Sequence, residues 1–129
     1  MKILKKKNKQ SVKIPISELT FEGSVFAKDG HHWRATTLYD FAKAKGYPTI
    51  EIPLCAMNIN YLPFDCKDLY DFVFECNRVI KCTDDHPILI DNRGCIADGY
   101  HRVCKALLDG KETIKAIRLL KMPAPDYDD

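Results

Sequence analysis

Val12, Ile14 and Ile16 alternate with polar neighbours along residues 11–19, and this period of two predicts a strand. Pro15 places that strand at a sheet edge, because proline cannot donate to a ladder. The turn-rich stretch Lys28-Asp29-Gly30-His31-His32 leads through Trp33 into a helix predicted from Thr36 or Thr37 to Lys45. This helix has a threonine cap, Asp40 in its first turn, Leu38, Phe41 and Ala42 on one face, and Gly46 as its stop. Residues 49–54 repeat the strand pattern. Asp65 is the expected cap of a longer helix, in which Leu69, Phe72, Val73, Cys76, Val79 and Ile80 form a stripe predicted to face the core. Pro87-Ile88-Leu89-Ile90 and Cys95-Ile96-Ala97 flank Asp91-Asn92-Arg93-Gly94, a hairpin whose glycine suits a positive φ. A helix from Tyr100 to Leu108, ended by Gly110, and a strand over 113–120 complete the pattern. Strands and helices alternate loosely, so the fold class is α/β (α+β): a small mixed β-sheet with flanking helices.

Length supports one domain: 129 residues can bury roughly two-thirds of the surface exposed by the unfolded chain. The hydrophobic fraction of 46% and net charge of +2 exclude collagen-like and disordered classes. Charge is uneven at the ends. Lys2, Lys5, Lys6, Lys7 and Lys9 make residues 1–10 a basic tail, and Asp126, Asp128 and Asp129 make 122–129 an acidic, proline-containing one. The body between them, 11–121, is neutral, and both tails are expected to be solvated and frayed. A weak nucleic-acid contact through the lysines is the alternative. The chain opens without the apolar run of a signal peptide and holds no stretch long enough to span a membrane, so a cytoplasmic location with reduced thiols is the expectation. Its six cysteines form no CxxC pair, so they are expected to act as small buried hydrophobes rather than metal ligands.

The informative chemistry lies at Asp98-Gly99-Tyr100-His101-Arg102, where a strand turns into a helix. Gly99 lets the backbone leave the strand sharply and approach a ligand, and the helix start offers N–H groups and a positive dipole end. His101 and Arg102 are cations in a first turn, where the dipole disfavours them unless an anion compensates. Arg102 has the fork geometry for phosphate oxygens, and His101 can donate to them or act as an acid or base. Asp98 beside a phosphate implies a bridging Mg²⁺ or a role toward an acceptor. The competing reading makes Asp98 a cap, Gly99 a turn, and His101 and Arg102 ordinary surface groups.

The string from Pro87 through Asp98-Gly99-Tyr100-His101-Arg102 to Gly110, followed by Ile114-Lys-Ala-Ile, resembles the core of the ParB/sulfiredoxin superfamily, over roughly residues 65–120. Sulfiredoxins carry Gly-Cys-His-Arg, and Tyr100 stands where their reacting thiol lies, so that activity is not implied. Partition proteins carry Gly-Glu-Arg-Arg and bind CTP; Gly99 and Arg102 match and Tyr100 and His101 depart. The helical DNA-reading domain of partition proteins does not follow here, so centromere binding is not expected either. Free-serine kinases of this fold carry Asp-Gly-His-His-Arg, matched by Asp98, Gly99, His101 and Arg102. They also use an upstream glutamate as base, for which Glu18, Glu22 and Glu51 are candidates.

Elsewhere, Trp33 reads as a core anchor with exposed His31 and His32 beside it, and His86 as a loop residue held extended by Pro87. Tyr61, Phe64, Tyr70, Phe72 and Phe74 read as packing residues rather than a base-stacking platform. Asp65, Asp68, Asp71 and Glu75 form an acidic helix face that repels nucleic acid.

The expectation is therefore a nucleotide- or phosphate-binding domain using ATP or a related nucleotide with Mg²⁺. Gly99, Tyr100, His101 and Arg102 are its phosphate or nucleotide contacts, Asp98 and His101 its catalytic candidates, and Asp98 its metal contact. Phosphoryl transfer or nucleotide hydrolysis is the implied reaction. A non-enzymatic DNA- or protein-interaction module is the alternative, with a ParB-type nuclease behind both.

Overall fold

Ile88-Leu89-Ile90 is uninterrupted apolar sequence, and a strand can bury such a run only where both faces of its sheet are covered. The computed structural model describes residues 24–60 and 62–129 and shows that arrangement. In chain order the elements are β1 (Val25–Lys28), β2 (His31–Arg34), α1 (Ala35–Lys45), β3 (Thr49–Pro53), a 3-10 turn (Leu54–Ala56), α2 (Leu69–Lys81), β4 (Ile88–Ile90), β5 (Ile96–Asp98), α3 (Tyr100–Leu108), β6 (Thr113–Arg118) and β7 (Tyr127–Asp128). The mixed content agrees with the predicted α+β class, but the strands form two sheets rather than one. A four-stranded sheet is ordered β3-β6-β4-β5, and a three-stranded one β1-β2-β7. Among the described strands, β4 and β6 are the parallel neighbours and the other pairs are antiparallel. The strand predicted over 11–19 and the basic tail lie outside the described residues.

Alternation along β4 and β5 divides the core. Ile88, Ile90 and Ile96 pack with Val103 and Ala106 of α3, while Leu89 and Ala97 pack on the opposite face with Leu38 and Ala42 of α1 and with Trp33. Gly94 closes the β4–β5 hairpin at φ +90°, as its sequence implies.

The expected turn before Trp33 is a full hairpin. Asp29 and Gly30 both take positive φ, the geometry of a tight two-residue connection between β1 and β2. Helix α1 consequently begins at Ala35, with Arg34 as its cap residue and without the expected threonine cap or an acid in its first turn. The missing acid comes from the far end of the chain: Asp126 accepts the Arg34 N–H at 2.7 Å and the Thr37 hydroxyl at 3.0 Å. The acidic tail is thus docked rather than frayed. Trp33 Nε1 donates to the Pro123 carbonyl at 2.9 Å, β7 pairs with β2, and Tyr127 stacks on His32.

The Arg34 N–H holds the Asp126 carboxyl below the usual carboxylate range. A carboxylate whose folded pKa is depressed contributes above its unfolded pKa and loses that contribution as pH falls through the folded one. Asp126→Ala is therefore expected to lower the melting temperature by about 3 °C at neutral pH, with the gap to the parent closing in acid. Paired thermal melts across pH 2 to 7 measure it.

Helix α2 departs most from expectation. Its cap is Asp68, which accepts the Asp71 N–H at 2.9 Å, and not Asp65. Its apolar stripe faces outward: Leu69 is 81% exposed and Ile80 69%, with Phe72 and Val73 also exposed and Val79 alone buried. The helix docks on α3 by polar contacts instead. Glu75 meets His101, and the Lys105 ammonium donates to the Ile80 and Cys82 carbonyls at 3.0 and 3.1 Å, satisfying the C-terminal end of α2.

Candidate functional site

Between β5 and α3 the backbone turns on Gly99, at φ +113°. A Cβ there would lie 2.4 Å from Cγ2 of the fully buried Ile88, so the turn sits hard against the core and admits only glycine. Helix α3 starts at this point with no side-chain cap and no acid in its first turn. Its dipole and first-turn N–H groups are therefore not offset by any side-chain carboxylate of its own.

The turn opens into a cleft of about 900 Å³. Among the described residues, Lys28, Arg78, Lys81 and Arg102 supply its cationic lining, His86 and His101 also line it, and Asp98 is its one acid. Phe64 and Tyr100 supply aromatic surface, and their rings meet edge to face at 6.4 Å. Beyond the Cys82–Pro87 loop lies a smaller cleft of about 520 Å³, where Glu51, Asp84, Asp85 and Asp109 balance Arg102, Lys105, Lys111 and Lys115. The larger cleft has the sign that suits an anion; the smaller does not. No helix among the described residues is long and apolar enough to cross a membrane.

The motif residues divide into two groups. Arg102 points along the wall: its Nη1 donates to the His86 and Pro87 carbonyls, and its Nη2 to the Tyr39 hydroxyl at 3.0 Å and to Asp98 Oδ2 at 2.9 Å. Tyr39 in turn reaches the Pro87 carbonyl at 2.6 Å and Asp98 Oδ2 at 3.1 Å, and burial together with the Asp98 charge pushes its hydroxyl pKa well up. Arg102 and Asp98 thus join α1, β5, α3 and the loop before β4 into one knot, and most guanidinium donors are spent on protein acceptors.

His101 belongs to the second group. Its Nε2 lies 2.5 Å from Glu75 Oε2, and its ring stacks on Phe64 at 4.8 Å. Burial pulls its pKa below the ordinary histidine value despite the opposing pull of Glu75, which favours the neutral ring.

Of the glutamates expected to supply a base, Glu51 lies in the smaller cleft and Glu18 and Glu22 lie outside the described residues. Sequence reasoning missed Glu75 as a partner for His101, because it counted only as part of an acidic helix face. It also missed Tyr39, Phe64 and Arg78, which no local motif marks. Among the described residues the Arg78 guanidinium makes no side-chain hydrogen bond, while its backbone carbonyl accepts the Cys82 N–H, and its charge opposes protonation of the His101 ring. His31 and His32 are not among the residues lining this cleft, and they pair with Asp128 and Asp129.

No group of three or more His, Cys, Asp or Glu able to hold a metal occurs among the described residues. Asp98 Oδ2 is taken by Arg102 and Tyr39, leaving Oδ1 to contribute. That fits a Mg²⁺ carried mainly by phosphate oxygens, the usual way this ion binds, and not an all-protein site. Comparison with family models, with curated proteins and with solved structures returns no match to this chain.

Proposed function

We propose that the chain binds a nucleotide or another phosphorylated small molecule, its phosphates lying at the start of α3. The observation that supports this most is the uncapped α3 terminus opening into a cleft whose charged lining is cationic apart from Asp98. Arg78 and His101 are the phosphate contacts in this reading, with Gly99 providing close backbone approach and Phe64 and Tyr100 flanking the bound molecule. Arg102 has a different task from the one its sequence position implies: it holds Asp98 and the loop wall in place. If ATP is the ligand, Mg²⁺ neutralises phosphate charge beside Asp98 Oδ1.

A phosphoryl transfer follows from the same geometry. At a pH above its bound-state pKa, His101 is neutral and accepts the proton of an attacking hydroxyl, whose oxygen bonds to the terminal phosphorus as the bond to the bridging oxygen breaks and the nucleoside diphosphate leaves; Glu75 steadies the imidazolium that forms. The resemblance to ParB-like free-serine kinases points the same way. A protein-interaction module is the second reading, favoured by the exposed apolar stripe of α2.

Melting temperature measured with ATP, ADP, CTP and GTP, each with and without Mg²⁺, separates these readings. At a ligand concentration of a hundred dissociation constants, stabilisation by about 2.7 kcal/mol is expected, and Arg78→Gln is expected to abolish most of it while leaving the unliganded melt unchanged. The pH dependence has a definite sign. His101 is depressed in the free cleft and an anion favours its charged form, so binding takes up a proton and tightens as pH falls through the bound-state pKa. No stabilisation by any of these nucleotides overturns the nucleotide reading and counts heavily against the proposal.

A further inference from the structure

Helix α2 divides its surface among three tasks, and one of them is unfilled. At about 100° per residue, Leu69, Val73, Cys76 and Ile80 share one side of the helix, with Phe72 at its edge. Arg78, nine positions after Leu69, stands on the opposite side and lines the cleft. Glu75 lies on the flank between them and meets His101 of α3. The apolar side is therefore the one left outward, with Phe72 56% and Val73 48% exposed beside the still more open Leu69 and Ile80. Leu108, 76% exposed, extends this surface: it lies on the face of α3 that carries His101 and Lys105, the residues that meet α2.

The stripe is complementary to itself. Leu69 and Ile80 stand at equal distances from the midpoint of the helix between Phe74 and Glu75, and so do Val73 and Cys76. A two-fold axis at that midpoint runs α2 antiparallel to the α2 of a second copy, with Leu69 facing Ile80 and Val73 facing Cys76 in both halves. The spacing i, i+4, i+7, i+11 is the row that packs at a shallow crossing angle. Charge selects the direction. The helix is preceded by Asp65, capped by Asp68 and ended by Lys81, all exposed. Antiparallel packing lays each acidic start along the basic end of the other copy and opposes the two macrodipoles, whereas a parallel pair sets acid beside acid. Exposed charges of this kind fix orientation more than affinity, which comes from the apolar burial. Four such side chains from each copy hide roughly 1,000 Å², the lower end for a specific interface.

We propose that α2 is a dimerisation surface on which two copies of this chain pack their helices antiparallel about a two-fold axis at the Phe74–Glu75 midpoint. The small area sets a dissociation constant on the order of 10 μM. Because Arg78 and the cleft lie on the other side of the helix, both clefts stay open in the dimer, and the proposal does not depend on the ligand reading above.

Sedimentation velocity of the full, reduced chain from about 1 to about 500 μM, a range that brackets this constant, tests it. The mass is expected to rise from monomer to dimer and no further. Val73→Glu sets two like charges beside the axis and is expected to keep the chain monomeric over the whole range, with unchanged circular dichroism because the site is half-exposed. If that spectrum changes, Ile80→Glu takes its place. The double variant Leu69→Cys with Ile80→Cys reads the register: mild oxidation is expected to join position 69 of one copy to position 80 of the other, as mapped by mass spectrometry. A parent chain that stays monomeric throughout overturns the proposal and leaves the stripe to another occupant, the chain's own residues 1–23 or a different protein. A dimer that survives the glutamate variant, cross-links that join 69 to 69 or none between 69 and 80, or species larger than a dimer also overturn it.

Discussion

Gly99→Ala is expected to destabilise the chain by about 3 kcal/mol, from the left-handed backbone of the site and overpacking of the core together. The melting temperature should fall by about 10 °C. The backbone stands at φ +113°, and the added Cβ would lie 2.4 Å from Cγ2 and 2.8 Å from Cβ of Ile88. Ile88 is fully buried within the layer that includes Ile90, Ile96 and Val103, so it has no room to retreat without moving the β4–α3 contact. Gly110→Ala is the matched control. Its φ of +69° is also positive, but nothing lies within 4 Å of the added carbon, and a cost of only about 1 kcal/mol is expected. Urea unfolding of the two variants beside the parent reads the difference, which reports the contact with Ile88 separately from backbone strain. A Gly99→Ala loss no larger than that of Gly110→Ala would show that the turn is not seated on the core as described.

Arg102→Ala is expected to cost a comparable amount, about 3 kcal/mol, with or without ligand. The change leaves Asp98, whose side chain is 13% exposed, without its cation, and it removes donors from the His86 and Pro87 carbonyls and the Tyr39 hydroxyl. Arg102→Lys should recover little, because an ammonium is a point charge and cannot reach acceptors on several sides as a planar fork does. Chemical denaturation of both variants without nucleotide checks this. Near-parental stability in Arg102→Ala would mean that the guanidinium serves a ligand rather than the fold. The expected result also shows why Arg78, not Arg102, is the side chain to alter when ligand binding is the question: loss of a nucleotide response in a destabilised protein has two causes.

Local chemistry made a good part of the molecule legible from its residues. The β4–β5 hairpin, the stop of α1 at Gly46, the span of α3 and the last strand follow from period, turn residues and caps, all interactions between near neighbours in the chain. The motif at Asp98–Arg102 was visible for the same reason, as a glycine between a strand end and a helix start. The stripe of α2 misled because periodicity identifies an amphipathic helix without saying which face will find a partner. Among the described residues, the docked face is the one bearing Glu75, chosen by its contact with His101 and by Lys105 at the helix end.

The sequence by itself determined the α+β class, the glycine turn with its helix, and a surplus of base confined to one end. Tertiary structure decided what each charge does. It brought Asp126 to the start of α1, Glu75 to His101, and Lys28 to Asp91 and Cys95, pairings separated by 92, 26, 63 and 67 residues. It also gave the Arg102 guanidinium Asp98, the Tyr39 hydroxyl and the His86 and Pro87 carbonyls as partners. The physical reason is the same in each case. A charged side chain taken from water must find a counter-charge or hydrogen-bond partner, and only the packed chain shows which distant group lies within about 3 Å of it.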